Sequence, residues 1–225
     1  MKNNFKIGFI EGLFIDLDGV VLRNSLEVYL KYVTDYINKF IPLPLSYIKN
    51  YYRTVNSFPQ LEAFHIVFDS LGLGNELKAL LESIIDLKEY NNEKITIGEN
   101  FYDIVSFCDK NNIQYKIFTM ASFEKTKSFL PEIPRKNICC LDKRSKADLK
   151  TYELIKKELK INLQNWVLVD DDPVALQTAH LSGLTTILMK NNLFDSSYCK
   201  EFKKSIDIAV ESFSDIIKLF KGEQV

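Results

Sequence analysis

The stretch FIDLDGVVL, Phe14 to Leu22, decides how the rest of the chain is read. An apolar run ends in Asp16, a second aspartate follows at Asp18, and Gly19 stands directly behind it. A short apolar run closed by a turn signal suits a buried strand. Two carboxylates at its tip, at i and i+2 of an extended chain, face the same side. Gly19 lets the chain turn tightly after them. With the strand fixing the backbone, one carboxylate is placed to attack and the other to handle protons.

Working outward, three more apolar runs end in polar residues: Tyr115–Thr119, Trp166–Asp170 and Thr185–Met189, with a weaker one at Ile138–Leu141. Helical spacing lies between them. Phe101–Asn112 places Phe101, Ile104, Val105 and Cys108 on one face, and Leu149–Leu159 does the same with Leu149, Tyr152, Ile155 and Leu159. Pro173 opens Val174–Ser182 and Gly183 closes it. Strands alternating with helices predict an α/β chain, a Rossmann-like parallel sheet flanked by helices. One segment breaks the alternation. From about Ser25 to Glu93 only helices are expected: Leu26–Phe40, Tyr47–Val55, Leu61–Leu71 and Glu76–Leu87. The predicted division is an α/β core over 1–24 and 94–225 with a helical insert over 25–93.

Composition narrows the function classes. The 225 residues carry 29 Lys+Arg against 30 Asp+Glu, a net charge of -1, so no global field favours nucleic acid or an anionic membrane. The cysteines Cys108, Cys139, Cys140 and Cys199 include no C-x-x-C pair, and His65 and His180 stand far from them. Reduced thiols are expected, rather than a zinc site or a disulfide scaffold. The apolar start IGFIEGLFI is interrupted by Glu11 and closed by Asp16 without a cleavage signal, so a soluble cytoplasmic protein is expected.

In an open α/β sheet, ligands bind beyond the carboxyl ends of the strands. The polar residues predicted there are Asp16 and Asp18, Thr119 and Ser122, and Asp170, Asp171 and Asp172, with Lys146 just before a helix. Clustered carboxylates repel one another unless a cation joins them. Oxygen ligands without Cys or His favour Mg²⁺. A metal, a lysine and a hydroxyl together form a clamp for phosphate oxygens.

These segments resemble the haloacid-dehalogenase-like (HAD) hydrolase superfamily. DLDGVV at Asp16–Val21 matches the family's D-x-D-x-[TV], and KIFTMAS at Lys116–Ser122 resembles the apolar run ending in Thr or Ser. SKADLKTYEL at Ser145–Leu154 resembles the lysine motif, and VLVDDDPVALQTAHLSG at Val167–Gly183 matches the run ending in an acid pair. The resemblance covers residue 13 to about 190, and the insert falls where the family carries its C1 cap. It implies that Asp16 is the nucleophile and Asp18 the general acid and base. It further implies that Thr119 and Lys146 bind the phosphoryl group. Asp16, the backbone carbonyl of Asp18 and Asp171 would hold Mg²⁺, with Asp170 beside them. The implied activity is a phosphatase of a small phosphorylated metabolite, with a β-phosphoglucomutase-like phosphomutase or a phospho-accepting regulatory module as rivals. Asp18 speaks against the dehalogenase branch, which lacks it.

The match has departures. Ala147 stands where the family has proline, which leaves Lys143 and Lys150 as rivals; Lys146 is favoured because Tyr152 then falls where the family often has an aromatic. Three aspartates in a row allow Asp170–Asp171 or Asp171–Asp172 as the acid pair; Pro173 and Ala179 align best with the first, and Asp171 is in both. Several residues also have plainer readings. Asp172 before Pro173, and Ser122 before EKTKSFL, fit helix N-caps. Cys139 and Cys140 fit a core strand, and His180 a structural place in its helix. In the insert, Tyr51, Tyr52 and Arg53 form the most tempting cluster for substrate contact, with Arg23 and His65 as further candidates.

Overall fold

The structure, a computed structural model, describes residues 10–55, 60–76, 95–191 and 196–224. Six parallel strands form one sheet: β1 (Gly12–Ile15), β2 (Gln114–Thr119), β3 (Ile138–Cys140), β4 (Trp166–Asp170), β5 (Thr185–Met189) and β6 (Ile208–Val210). Their order across the sheet is β3-β2-β1-β4-β5-β6. The chain therefore leaves the centre in one direction through β2 and β3, then crosses back to continue from β4. The crevice between the ends of β1 and β4 is the switch point where such sheets bind ligands.

The helices are α1 (Ser25–Ile37), α2 (Leu45–Arg53), α3 (Gln60–Ser70), α4 (Phe101–Lys110), α5 (Phe123–Phe129), α6 (Leu149–Leu159), α7 (Pro173–Leu181), α8 (Ser196–Glu201) and α9 (Phe213–Phe220). Side chains alternate along β1, and both faces are buried. Leu13 and Ile15 join Phe101, Ile104, Phe213 and Ile216 of α4 and α9 on one side. Phe14 turns to the other, against Phe118, Trp166, Tyr152 and Leu176. Helices on both faces explain why the strands read as unbroken apolar runs.

The helices α1, α2 and α3 pack around a separate core. Leu26, Leu30, Val33 and Ile37 make one stripe along α1 and meet Ile48 and Tyr52 of α2 and Val67 and Phe68 of α3. Spacing of three and four residues is what keeps one face of a helix buried. The helix expected over Glu76–Leu87 lies, beyond its first residue, outside the described residues.

Some sequence readings are corrected here. Leu149 is 47% exposed, because α6 packs through Thr151, Tyr152 and Ile155 instead. Cys139 and Cys140 are half-buried, since β3 is an edge strand with a partner on one side only. β6 and α9 were not anticipated. All four cysteines are free thiols. Among the described residues, no helix is long and apolar enough to cross a membrane.

Candidate active site

The site is assembled by strand register. Ile15 of β1 pairs with Val169 of β4 and Ile117 of β2, so the residues one step further, Asp16 and Asp170, emerge side by side. The Asp16 backbone N–H donates to the carbonyl of Val169 at 2.9 Å, which extends the ladder to Asp16 itself. The strand geometry then ends. The chain turns through Gly19, whose φ is 86°, a left-handed value natural to glycine. A Cβ there would also collide with the carboxylate of Asp171. The glycine of the opening motif thus both allows the turn and lets the β4 acids approach.

Asp16, Asp170 and Asp171 bring their carboxylate oxygens within 4.8 Å of one another, and all three are buried. Lys146, 3% exposed, is the cation among them. Its Nζ donates to Asp16 Oδ1, and to Asp170 Oδ2 at 2.7 Å. Lys143 and Lys150, the rival lysines, are exposed. Asp170 Oδ1 also accepts the Asp172 N–H at 2.9 Å, so both of its oxygens are held. Asp172 turns away to cap α7, accepting from the Val174 N–H at 2.9 Å. The third aspartate is therefore the helix cap, and the acid pair nearest Asp16 is Asp170–Asp171.

Charge decides what this cluster can hold. Burial is the strongest influence on Asp16 and pushes its carboxyl up to about 8; Lys146 pulls it down and Asp170 pushes it up again. Asp171 is likewise raised well above the ordinary carboxylate value, by burial first and then by Asp170 and Asp16. Burial works against the charge on Lys146, yet Asp16 and Asp170 outweigh it and hold the ammonium above its usual pKa. These trends describe one balance. Lys146 brings one positive charge to three buried carboxylates, so the cluster favours a further cation. Oxygen-only ligands at this spacing fit a hard divalent ion such as Mg²⁺.

Asp18 and Thr119 line the same small cavity, of about 80 Å³, together with Asp16, Lys146 and the β4 aspartates. Asp18 does not share the cation cluster. Because the extended strand stops at Ile15, its side chain is aimed separately, and both of its oxygens meet Lys125 Nζ at 3.0 and 3.2 Å. Thr119 is 2% exposed, and its Oγ1 accepts the Ala121 N–H at 3.0 Å. Tyr52, Tyr29 and Leu26 close the cavity from the helical segment. Burial, reinforced by Asp18 and Asp171, holds the Tyr52 phenol above its ordinary pKa.

The remaining candidates fall elsewhere. Arg53 reaches Asn50 at 3.1 Å on the surface, and His65 is exposed. His180 stands 3.7 Å from Asp207 and does not line the cavity of Asp16, Asp170 and Asp171. Arg23 donates to the Lys190 carbonyl at 3.0 Å and lines a second cavity of about 760 Å³, which touches the first at Leu26 and Asp171. Ser122 caps α5, accepting the Lys125 N–H at 3.1 Å. Two site residues were missed: Lys125 beside Asp18, and Asn191, whose amide donates to Asp171 Oδ2. Both had a signal. Lys125 lies three residues after a predicted N-cap, and Asn191 follows the end of a predicted strand.

No protein-family model matches the sequence, and no curated protein matches it. Solved structures do. A hydrolase from Pseudomonas syringae superposes with a TM-score of 0.75 at 14% identity, covering 95% of this chain and 100% of its own. A HAD hydrolase of family IA, variant 3, from Entamoeba histolytica gives 0.71 at 14% identity, covering 94% and 100%. CbbY from Rhodobacter sphaeroides, solved with phosphate, gives 0.71 at 15% identity, covering 92% and 96%. The fold is that of the HAD-like hydrolases.

Proposed function

We propose that this chain is a Mg²⁺-dependent phosphatase that hydrolyses a small phosphorylated metabolite through an aspartyl-phosphate on Asp16. The observation that carries this reading is the tip of β1, where a buried carboxylate is held by Lys146 among two further buried acids. Asp16 attacks phosphorus, the bond from phosphorus to the leaving oxygen breaks, and Asp18 gives that oxygen its proton. Water then attacks the same phosphorus and passes a proton to Asp18. The bond to Asp16 breaks, inorganic phosphate departs and both carboxyl groups return to their starting states. Thr119 and Lys146 bind the phosphoryl oxygens. Mg²⁺, held by Asp16, Asp171 and the Asp18 backbone carbonyl with Asp170 beside them, would neutralise the acids and attract the phosphoryl charge.

The helical insert over 25–93 is proposed as a mobile cap on a core of 1–24 and 94–225. Its three described helices bury their own core, and Tyr52 reaches over the carboxylates. The cavity of about 80 Å³ is far below the roughly 300–1,000 Å³ of ligand pockets, so the cap has to move for a substrate to enter. A small phosphorylated substrate agrees with the ligands of CbbY, which was solved with phosphate and, as a mutant, with xylulose-1,5-bisphosphate. A cytoplasmic setting agrees with four free thiols. The test is phosphate release from p-nitrophenyl phosphate and a panel of phosphorylated sugars, with Mg²⁺ and with excess EDTA. Release that needs Mg²⁺ supports the reading. Full activity in excess chelator, or no release from any ester, contradicts it.

A further inference from the structure

Two lysines line the cavity, and they pair with different carboxylates. Lys146 is occupied by Asp16 and Asp170. Lys125 takes Asp18, with one ammonium against both carboxylate oxygens, at 3.0 and 3.2 Å. The backbone beneath Lys125 is well anchored. Its N–H donates to the Ser122 cap at 3.1 Å, Thr126 Oγ1 donates to the Ser122 carbonyl at 2.9 Å, and the Arg135 guanidinium lies 4.7 Å over the Phe123 ring. The strand β2 that delivers Thr119 to the cavity is thus followed, six residues later, by a lysine with a fixed origin in the first turn of α5.

We propose that Lys125 is a positioning residue for Asp18, holding its carboxyl apart from the cation cluster and on the side of the cavity where the leaving oxygen departs. The proposal rests on the phosphatase reading above. Asp18 has a reason to need such a partner. It follows the end of β1, so no strand ladder holds its side chain, and three buried acids nearby would otherwise compete for the same cation. A proton donor works only when it points at the atom that receives the proton. The pair is partly exposed, 35% for Lys125 and 24% for Asp18, so its loss costs the fold little and its effect is read in catalysis.

The experiment compares wild type, Lys125→Met, Lys125→Arg, Asp18→Asn and the double variant Asp18→Asn with Lys125→Met, using p-nitrophenyl phosphate, phenyl phosphate and a primary alkyl phosphate with Mg²⁺. The quantity read is kcat/KM, which covers the steps through phosphoenzyme formation. Lys125→Met is expected to lower it by about 10- to 100-fold for the alkyl ester and by less than about threefold for p-nitrophenyl phosphate, whose leaving group departs without a proton. Lys125→Arg should recover most of the loss. On phenyl phosphate, the double variant should be no slower than Asp18→Asn alone, because the lysine acts through that side chain. Equal loss on all three esters, or a further loss in the double variant, would mean that Lys125 binds substrate itself and would overturn the proposal. Wild type without turnover, or turnover untouched by Asp16→Asn, would overturn the phosphatase reading and this proposal with it.

Discussion

Asp16 and Asp170 stand at the ends of strands in which every residue is buried, β1 and β4. The helices α1, α2 and α3 each bury one stripe, and α2 and α3 leave Tyr47 and Ile66 in part to solvent. The strand tips are held by register, by a glycine turn and by one lysine shared between two acids. Among the described residues, the helical segment offers the cavity Ser25, Leu26, Tyr29 and Tyr52, none of them charged. On the proposed function, the chemistry falls to the strand tips, where the backbone is most constrained, and the choice of leaving group falls to the helical segment.

If that division is right, substitutions at the tips should cost orders of magnitude and those in the helices only small factors. The largest effect is expected for Asp16→Asn, with turnover falling on the order of 10⁴-fold or more on every ester, because nothing else can attack. Steady-state rates with Mg²⁺ check this, and substantial residual turnover would break the comparison at its strongest point.

Asp171→Ala should follow, losing about 100-fold or more in turnover. It also has a readout that needs no substrate. Mg²⁺ at roughly a hundred times its dissociation constant should raise Tm by about 5–10 °C in the wild type, and EDTA should reverse the shift. Asp171→Ala should show almost none of it. A wild type whose melting ignores Mg²⁺ would remove the metal from the account.

Next comes stability at the two lysines. Lys146→Met leaves buried carboxylates without their cation and should cost about 3–5 kcal/mol in chelator, with Mg²⁺ restoring part of it. Lys125→Met removes a partly exposed pair and should cost about 0–1 kcal/mol. Urea melts of both variants give the contrast, and equal losses would mean that the two ion pairs are not different in kind.

The smallest effect is expected in the helices. Tyr52→Phe keeps the packing and changes only the phenol at the roof of the cavity. It should shift KM by about two- to fivefold among phosphorylated sugars while leaving kcat for p-nitrophenyl phosphate nearly unchanged. A large loss of kcat on both would place chemistry in the helical segment.

How much of this was legible in the sequence follows the same division. The strands β1, β2, β4 and β5 could be read because burial on both faces makes them continuous apolar runs. Their ends then pointed to Asp16, Thr119 and the β4 acids. Asp172 and Ser122 were legible as caps because N-cap chemistry is local. β6 was not, since Ile208–Val210 is three residues long and gains its identity from pairing with β5. Lys146 could be favoured among three lysines from its spacing to Tyr152, while its contacts with Asp16 and Asp170 depended on how the loop before α6 folds. The Lys125–Asp18 contact joins residues 107 apart and needed the sheet to bring them together. In the helical segment the apolar stripes were legible, but Tyr52, rather than Tyr51 or Arg53, faces the carboxylates for reasons of helix rotation that the sequence alone does not carry.

The most direct test of the central claim is to trap the phosphoenzyme. Wild-type protein is mixed with a phosphate ester and Mg²⁺, quenched in acid during turnover, digested and mapped by mass. One phosphoryl group should be found on the peptide carrying Asp16 and on no other, and Asp16→Asn should yield none. A label on any other residue, or an Asp16→Asn protein that still turns over, would contradict the account.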